Sequence, residues 1–181
     1  MMNDKVIFLD IDGVLNAYNH LYTMVFKISG FFGLRKWLRS HYDVFGVRTY
    51  RVLLLWIIVK FTGADIVLSS SWRLGYFKEN KTERQAQLEK KLTWFGLSVC
   101  DITKELHTRG EEIQTYLKEH PIIKNYVIID DEKFDIIDII GTDHLVITSY
   151  GGEIRGCAYE NTGIKIKDVI RAIRILNHEK G

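Results

Sequence analysis

The sequence predicts an α/β fold: a three-layer, Rossmann-like domain with a mainly parallel five-stranded sheet and a small helical insertion after the first strand. Three observations predict it. Short apolar runs alternate with amphipathic stretches along the chain, so strand and helix take turns. The apolar runs are unbroken, which is the mark of strands covered on both faces, as in parallel sheets. Several of these runs end in acids or hydroxyls, and the carboxyl ends of parallel strands are where such sheets bind ligands.

The elements follow in order. "KVIFLD" reads as the first strand. "TYRVLLLWIIVKFTG" reads as a buried helix stopped by Gly63. "DIVLSS" is a second strand. "KTERQAQLEKKLTWFG" is a helix with Gln87, Glu89, Lys90 and Lys91 outward, stopped by Gly96. "LSVC" is a weaker third strand. "TRGEEIQTYLKEH" is a helix whose opening acids suit the positive end of the helix dipole. "NYVIIDD" and "HLVITS" are the fourth and fifth strands, and "KIKDVIRAIRILN" closes the chain as an amphipathic helix.

The 181 residues favour one domain over 1–181, with the insertion at about 17–47. That segment holds "FFGLRKWLR", in which Arg35, Lys36 and Arg39 are interleaved with Phe32 and Trp37. It leaves the sheet directly after the first strand, so it is expected to form a cap-like cover that governs substrate choice; an extra packing layer is the plainer reading. With 25 basic and 23 acidic residues, bulk charge gives no argument for nucleic-acid binding. Cys100 and Cys157 have no paired spacing, which fits a reduced, cytoplasmic chain. The start "MMNDKVIFLD" has no signal-peptide pattern. The longest apolar run, "VLLLWIIV" from Val52 to Val59, falls far short of the ~20 residues a spanning helix needs, so no membrane insertion is expected. His20 and His144 have no spacing that recommends them as metal ligands.

The chemistry gathers at the strand ends. Asp10 and Asp12 follow "VIFL" and precede Gly13. An Asp-Gly turn would account for one acid. Two acids one residue apart repel each other unless a cation lies between them or their environments differ. The same rim receives Ser69 and Ser70 from the second strand, and Asp130 and Asp131 from the fourth. Four acids and a hydroxyl suit a hard cation such as Mg2+, which takes oxygen ligands and keeps room for water and substrate phosphate. One carboxylate is then placed to attack phosphorus and the other to move protons. Ser69 is preferred over Ser70 as the phosphoryl contact because it first follows the apolar run, although either hydroxyl would serve as a helix N-cap. Trp72 and Arg73 border the rim or belong to the core.

"FLDIDGVLN", "IVLSSSWR" and "YVIIDDE" resemble motifs I, II and IV of the haloacid dehalogenase (HAD) superfamily. Arg109, in "TRGEEI", stands where that superfamily has its basic motif III residue, usually lysine; Lys104 is the alternative. The combination is most similar to HAD domains found in RNA-repair proteins, and it covers about residues 5 to 150. The resemblance implies a magnesium-dependent phosphatase that hydrolyses a phosphate monoester through an aspartyl-phosphate. Asp10 would be nucleophile and metal ligand, and Asp12 general acid and then base, its backbone carbonyl facing the metal. Ser69, Ser70 and Arg109 would bind the phosphoryl group. Asp131 would bind the metal directly, with Asp130 supporting it. The resemblance puts a nucleotide or nucleic-acid end first as phosphorylated partner and a small phosphometabolite next. A catalytically inactive binding module is the competing class.

Overall fold

The computed structural model describes residues 3–16, 46–148 and 163–177. Among the described residues five strands and five helices alternate: β1 (Lys5–Leu9), α1 (Thr49–Thr62), β2 (Asp65–Leu68), a 3-10 turn (Ser71–Arg73), α2 (Glu83–Trp94), β3 (Val99–Ile102), α3 (Arg109–Glu119), β4 (Asn125–Asp130), α4 (Phe134–Ile140), β5 (Leu145–Ile147) and α5 (Ile166–Leu176). The strands form one sheet in the order β3-β2-β1-β4-β5, and every neighbouring pair is parallel. The architecture is therefore the Rossmann-like α/β arrangement, with a sheet that is parallel throughout. The strand order reverses between β1 and β4, the crevice where open parallel sheets take their ligands.

The unbroken apolar runs are buried on both faces. Ile7, Leu9, Leu68 and Ile129 pack with α1, α2 and α5 through Leu55, Leu88 and Ala172. Val6, Phe8, Val67 and Ile128 pack on the opposite face against Ile113 and Tyr116 of α3 and Ile136 of α4. Alternate residues of each strand thus serve different layers, as the strand period requires. Helix α1 ends as expected: Gly63 takes φ 69° and its N–H reaches the Val59 carbonyl. Among the described residues no helix is long and apolar enough to cross a membrane.

Two elements differ from expectation. The third strand lies at Val99–Ile102 rather than over "LSVC". Leu97 is spent on the end of α2, its N–H bonding the Leu92 carbonyl, and the ladder to β2 is shifted between Ile66 and Val67. Helix α4 was not expected from "FDIIDII", whose isoleucines favour strand. Packing on α3 overrides that preference. Gly110 permits the approach, because a Cβ there would lie 2.5 Å from the Asp135 carbonyl oxygen. On α2, Glu89 faces outward as far as an ion pair with Lys81, whereas Gln85 is buried. Of the expected insertion, residues 17–45 lie outside the described residues, including Arg35, Lys36, Arg39, Phe32 and Trp37.

Candidate active site

The ladder brings the acids together before any side chain is considered. Leu9 pairs in register with Ile129 on one side and Leu68 on the other, so Asp10 emerges between Asp130 and Ser69. The Asp10 N–H still bonds the Ile129 carbonyl at 3.0 Å. The chain then turns sharply: the Ile11 carbonyl accepts from Val14, Leu15 and Asn16. Gly13 takes φ 73° in this turn, and a Cβ on it would fall 2.0 Å from Asp131 Oδ2. Glycine is needed there for both conformation and space. Thr148, just past β5, ties the loop down by donating to the Gly13 carbonyl at 3.0 Å.

Asp10, Asp130 and Asp131 each offer an oxygen within 4.8 Å of the others. Arg109, the first residue of α3, lies against two of them. Its Nη1 donates to Asp10 Oδ1 at 2.8 Å and to Asp130 Oδ2 at 2.6 Å. The backbone N–H of Arg109 is held by Asp135 Oδ2 at 2.6 Å, which fixes the helix start. Lys104 points elsewhere and pairs with Glu119.

Burial raises the Asp10 pKa above the ordinary 3.8. Arg109 opposes that rise through charge and hydrogen bond, Asp12 adds to it by repulsion, and the Ser70 hydroxyl opposes it by hydrogen bonding. Asp130 is pushed up to about 7 by burial and by Asp10, although Arg109 and the Glu132 N–H pull the other way. Asp131 is pushed up to about 6 by burial and by repulsion from Asp10 and Glu132. Burial works against the Arg109 charge too, but Asp130 and Asp10 outweigh it and hold the guanidinium protonated. One guanidinium faces three carboxylates. The remaining negative charge, carried entirely by oxygen donors, is the donor chemistry of a hard divalent cation, and magnesium fits it.

Asp12 stands apart from this cluster. It is exposed, and its two oxygens accept from different side chains: Asn16 Nδ2 at 2.5 Å and the Trp72 indole N–H at 2.9 Å. The two serines also differ. Ser69 is fully buried, and its hydroxyl has no partner among the described residues. Ser70 begins the 3-10 turn, its hydroxyl accepting from the Trp72 N–H at 3.4 Å, and this turn directs it toward Asp10. The geometry puts the Ser70 hydroxyl in contact with the Asp10 carboxylate and leaves that of Ser69 without a partner among the described residues.

Sequence reasoning placed Trp72 and Arg73 at the rim or in the core and missed what they hold. Arg73 is buried; its Nη1 donates to the Ser69 carbonyl at 2.7 Å and its Nη2 to Glu112 Oε1 at 2.5 Å. Glu112 is therefore a buried partner of the serine turn rather than a solvated acid at a helix start. Gln85 donates to the carbonyls of Trp72 and Leu74 at 2.7 and 2.9 Å. Asn16, four residues after Asp12 inside the same loop, was the one support with a local signal.

A family model described as the HAD domain in Swiss Army Knife RNA repair proteins matches residues 6–152. That span includes Asp10, Asp12, Asp130, Asp131, both serines and Arg109. The chain has no significant match among curated proteins or among solved structures. The chain belongs to this family, and with it to the haloacid dehalogenase superfamily.

Proposed function

We propose that this member of the haloacid dehalogenase superfamily hydrolyses phosphate monoesters through a phosphorylated Asp10. The observation that carries the reading is the pairing of unlike acids on one loop. Asp10 is buried against Arg109 and two further carboxylates, while Asp12, two residues on, is exposed and held by neutral donors. A nucleophile and a proton carrier need such different surroundings.

In this reading an Asp10 carboxylate oxygen attacks phosphorus and the bond to the leaving oxygen breaks. Asp12 gives that oxygen its proton. Water then attacks the aspartyl-phosphate, Asp12 takes a proton from it, and phosphate departs with Asp10 restored. Arg109 offsets charge on the transferring group, and Ser69 and Ser70 lie at the strand end where its oxygens would rest. Asp10, Asp130 and Asp131, with the Asp12 backbone carbonyl, would hold magnesium. The cation, when bound, supplies charge neutralisation for the carboxylates and the phosphoryl oxygens. The family's description supports a phosphorylated RNA end or nucleotide as the substrate.

Phosphate release from a generic aryl phosphate, with magnesium and with chelator, tests the reaction. Release that needs the cation and vanishes in Asp10→Asn is the expected result. Phosphate binding without release would point instead to a binding module. A panel of nucleotides, sugar phosphates and RNA with 3′ or 5′ phosphate ends then ranks substrates by kcat/KM.

A further inference from the structure

We propose that Thr148 is a positioning residue for the candidate metal site: its hydroxyl locks the loop after β1 to the end of β4, and this lock gives the site a preference for magnesium over the larger calcium ion. The inference rests on the proposed function, in which both segments hold the cation.

The acids of the cluster come from two pieces of chain. Asp10 lies on the loop that follows β1, while Asp130 ends β4 and Asp131 follows it. The ladder joins the two pieces as far as the Asp10 N–H, which bonds the Ile129 carbonyl at 3.0 Å. Beyond that point the loop turns back on the Ile11 carbonyl, and strand register no longer fixes it against β4. Thr148 takes over there. It stands one residue past β5 and is fully buried. Its N–H bonds the Asp130 carbonyl at 2.9 Å and so continues the β4–β5 ladder. Its hydroxyl lies 3.0 Å from the Gly13 carbonyl and 3.4 Å from that of Asp130. A hydroxyl has one proton to give, and the shorter contact takes it to Gly13. One residue therefore grips β4 through its backbone and the loop through its side chain.

Gly13 is where such a grip matters most. Its backbone runs against Asp131, since a Cβ there would fall 2.0 Å from Oδ2. The residue before it is Asp12, whose carbonyl the proposed function gives to the metal. A shift of the Gly13 peptide therefore changes the gap between the oxygens of the loop and those of Asp131. The Val14 and Leu15 carbonyls are held by Ile164 and Arg48, and the Asp12 carboxylate by Trp72, none of which belongs to β4 or β5. Cations differ in how they tolerate such a shift. Magnesium demands near-ideal geometry at about 2.0–2.1 Å, whereas calcium accepts irregular shells of roughly six to eight oxygens at about 2.3–2.6 Å. A loop held at fixed spacing serves the first ion, and a loosened one serves the second.

Thr148→Val removes the hydroxyl, keeps the branched shape and leaves the N–H bond to Asp130 in place. Thr148→Ser keeps the hydroxyl. Thr62→Val is the matched control: Thr62 is also buried, and its hydroxyl bonds the Ile58 carbonyl at 2.7 Å, at the end of α1 that leads into β2. Calorimetry on the full chain, with Mg2+ or Ca2+ as the ligand, gives both affinities, and melting temperature follows folding. Thr148→Val should lose roughly tenfold or more in magnesium affinity and less than about threefold in calcium affinity. Thr148→Ser should keep the preference of the unsubstituted chain. Thr62→Val should lower the melting temperature without moving the ratio of the two affinities. If valine prevents folding, Thr148→Ala removes the same hydroxyl without added bulk, and the same unequal losses are expected. Equal losses for the two ions, no loss for either, a serine variant that behaves like valine, a matching change in Thr62→Val, or no binding of either ion by the unsubstituted chain would each overturn the proposal. Phosphate release from an aryl phosphate is followed alongside. The expected change of preference in a chain that releases no phosphate would keep the role of Thr148 and overturn the reaction. Magnesium-dependent release with a preference untouched by Thr148→Val would do the reverse.

Discussion

Two arginines lie at the strand ends, and both sit in ion pairs, yet they are built for different ends. Arg73 follows the serine turn. It is buried, as is its partner Glu112, and it also holds the Ser69 carbonyl, so every charge in that pair is spent within the protein. Arg109 bridges Asp10 and Asp130 but keeps 23% of its side chain exposed, and it faces more carboxylates than it can neutralise. The first arrangement closes a structure. The second leaves a deficit of positive charge at an open rim, which the proposed function fills with a cation and a phosphate. The difference lies in how the charges balance and not in residue type.

The largest effect expected on this contrast comes from the proposed nucleophile. Asp10→Asn removes the covalent route and should lower kcat on an aryl phosphate by at least about a thousandfold. The variant should remain folded, since it reduces repulsion among the acids. A purified, folded variant keeping a tenth of the activity would remove Asp10 from the role. Next comes the closed pair. Breaking a buried ion pair strands the remaining charge, so Arg73→Met or Glu112→Leu alone should cost about 3–5 kcal/mol of stability. The double substitution should recover much of that. Denaturant unfolding measures both, and single substitutions costing under about 1 kcal/mol would show that the pair is not closed after all.

This contrast also marks where the sequence stopped being informative. The acids were legible because each follows an apolar run long enough to identify a strand end. Arg109 was legible through the resemblance, whose basic residue stands at a helix start ahead of the "IDDE" acids. The partners of Trp72 and Arg73 were not. Trp72 reaches Asp12 across 60 residues and Arg73 reaches Glu112 across 39, and no local pattern announces such pairs. Position alone did not show that the turn beginning at Ser70 directs its hydroxyl at Asp10. Helix α4 was hidden by its isoleucines, and the start of β3 by Leu97, an apolar residue that serves the preceding helix. In each case tertiary packing overrode a local preference.

The open cluster should respond to metal and to pH. Asp130 and Asp131 have pKa values raised to about 7 and about 6, against an ordinary 3.8. Between roughly pH 4 and pH 7 the folded chain therefore holds protons that the unfolded chain has released, and without metal its stability falls as pH rises through that window. The loss should be on the order of 1–3 kcal/mol, with magnesium restoring it by binding the ionised acids. Melting temperatures at pH 4.5 and 7.5, in chelator and in magnesium, read this directly. A chelated chain whose stability does not fall between these values would show that the acids are not under strain. Asp131→Ala should weaken magnesium activation more than Asp130→Ala, because Asp130 is already partly satisfied by Arg109 and the Glu132 N–H. Equal shifts in the magnesium dependence of activity, or a larger one for Asp130→Ala, would overturn that ordering.

The smallest effect expected is also the most specific. The Trp72 indole N–H and the Asn16 amide hold the two oxygens of Asp12. Trp72→Phe keeps the aromatic bulk and removes one donor, so the ring still fills its place beside the serine turn while the carboxylate gains freedom to rotate. A hydrogen bond to a charged group contributes about 1.5–3 kcal/mol, and part of this should be lost from the transition state only where Asp12 must deliver a proton accurately. Loss of roughly tenfold in kcat is therefore expected for an alkyl phosphate, whose leaving oxygen needs that proton. Little change is expected for an aryl phosphate with an acidic phenol, whose oxygen departs without help. A merely structural tryptophan would lower both rates together. The slope of rate against leaving-group acidity, measured across a series of aryl and alkyl phosphates, separates the two: it should steepen in Trp72→Phe if the indole positions Asp12, and stay as in the unsubstituted chain if it does not.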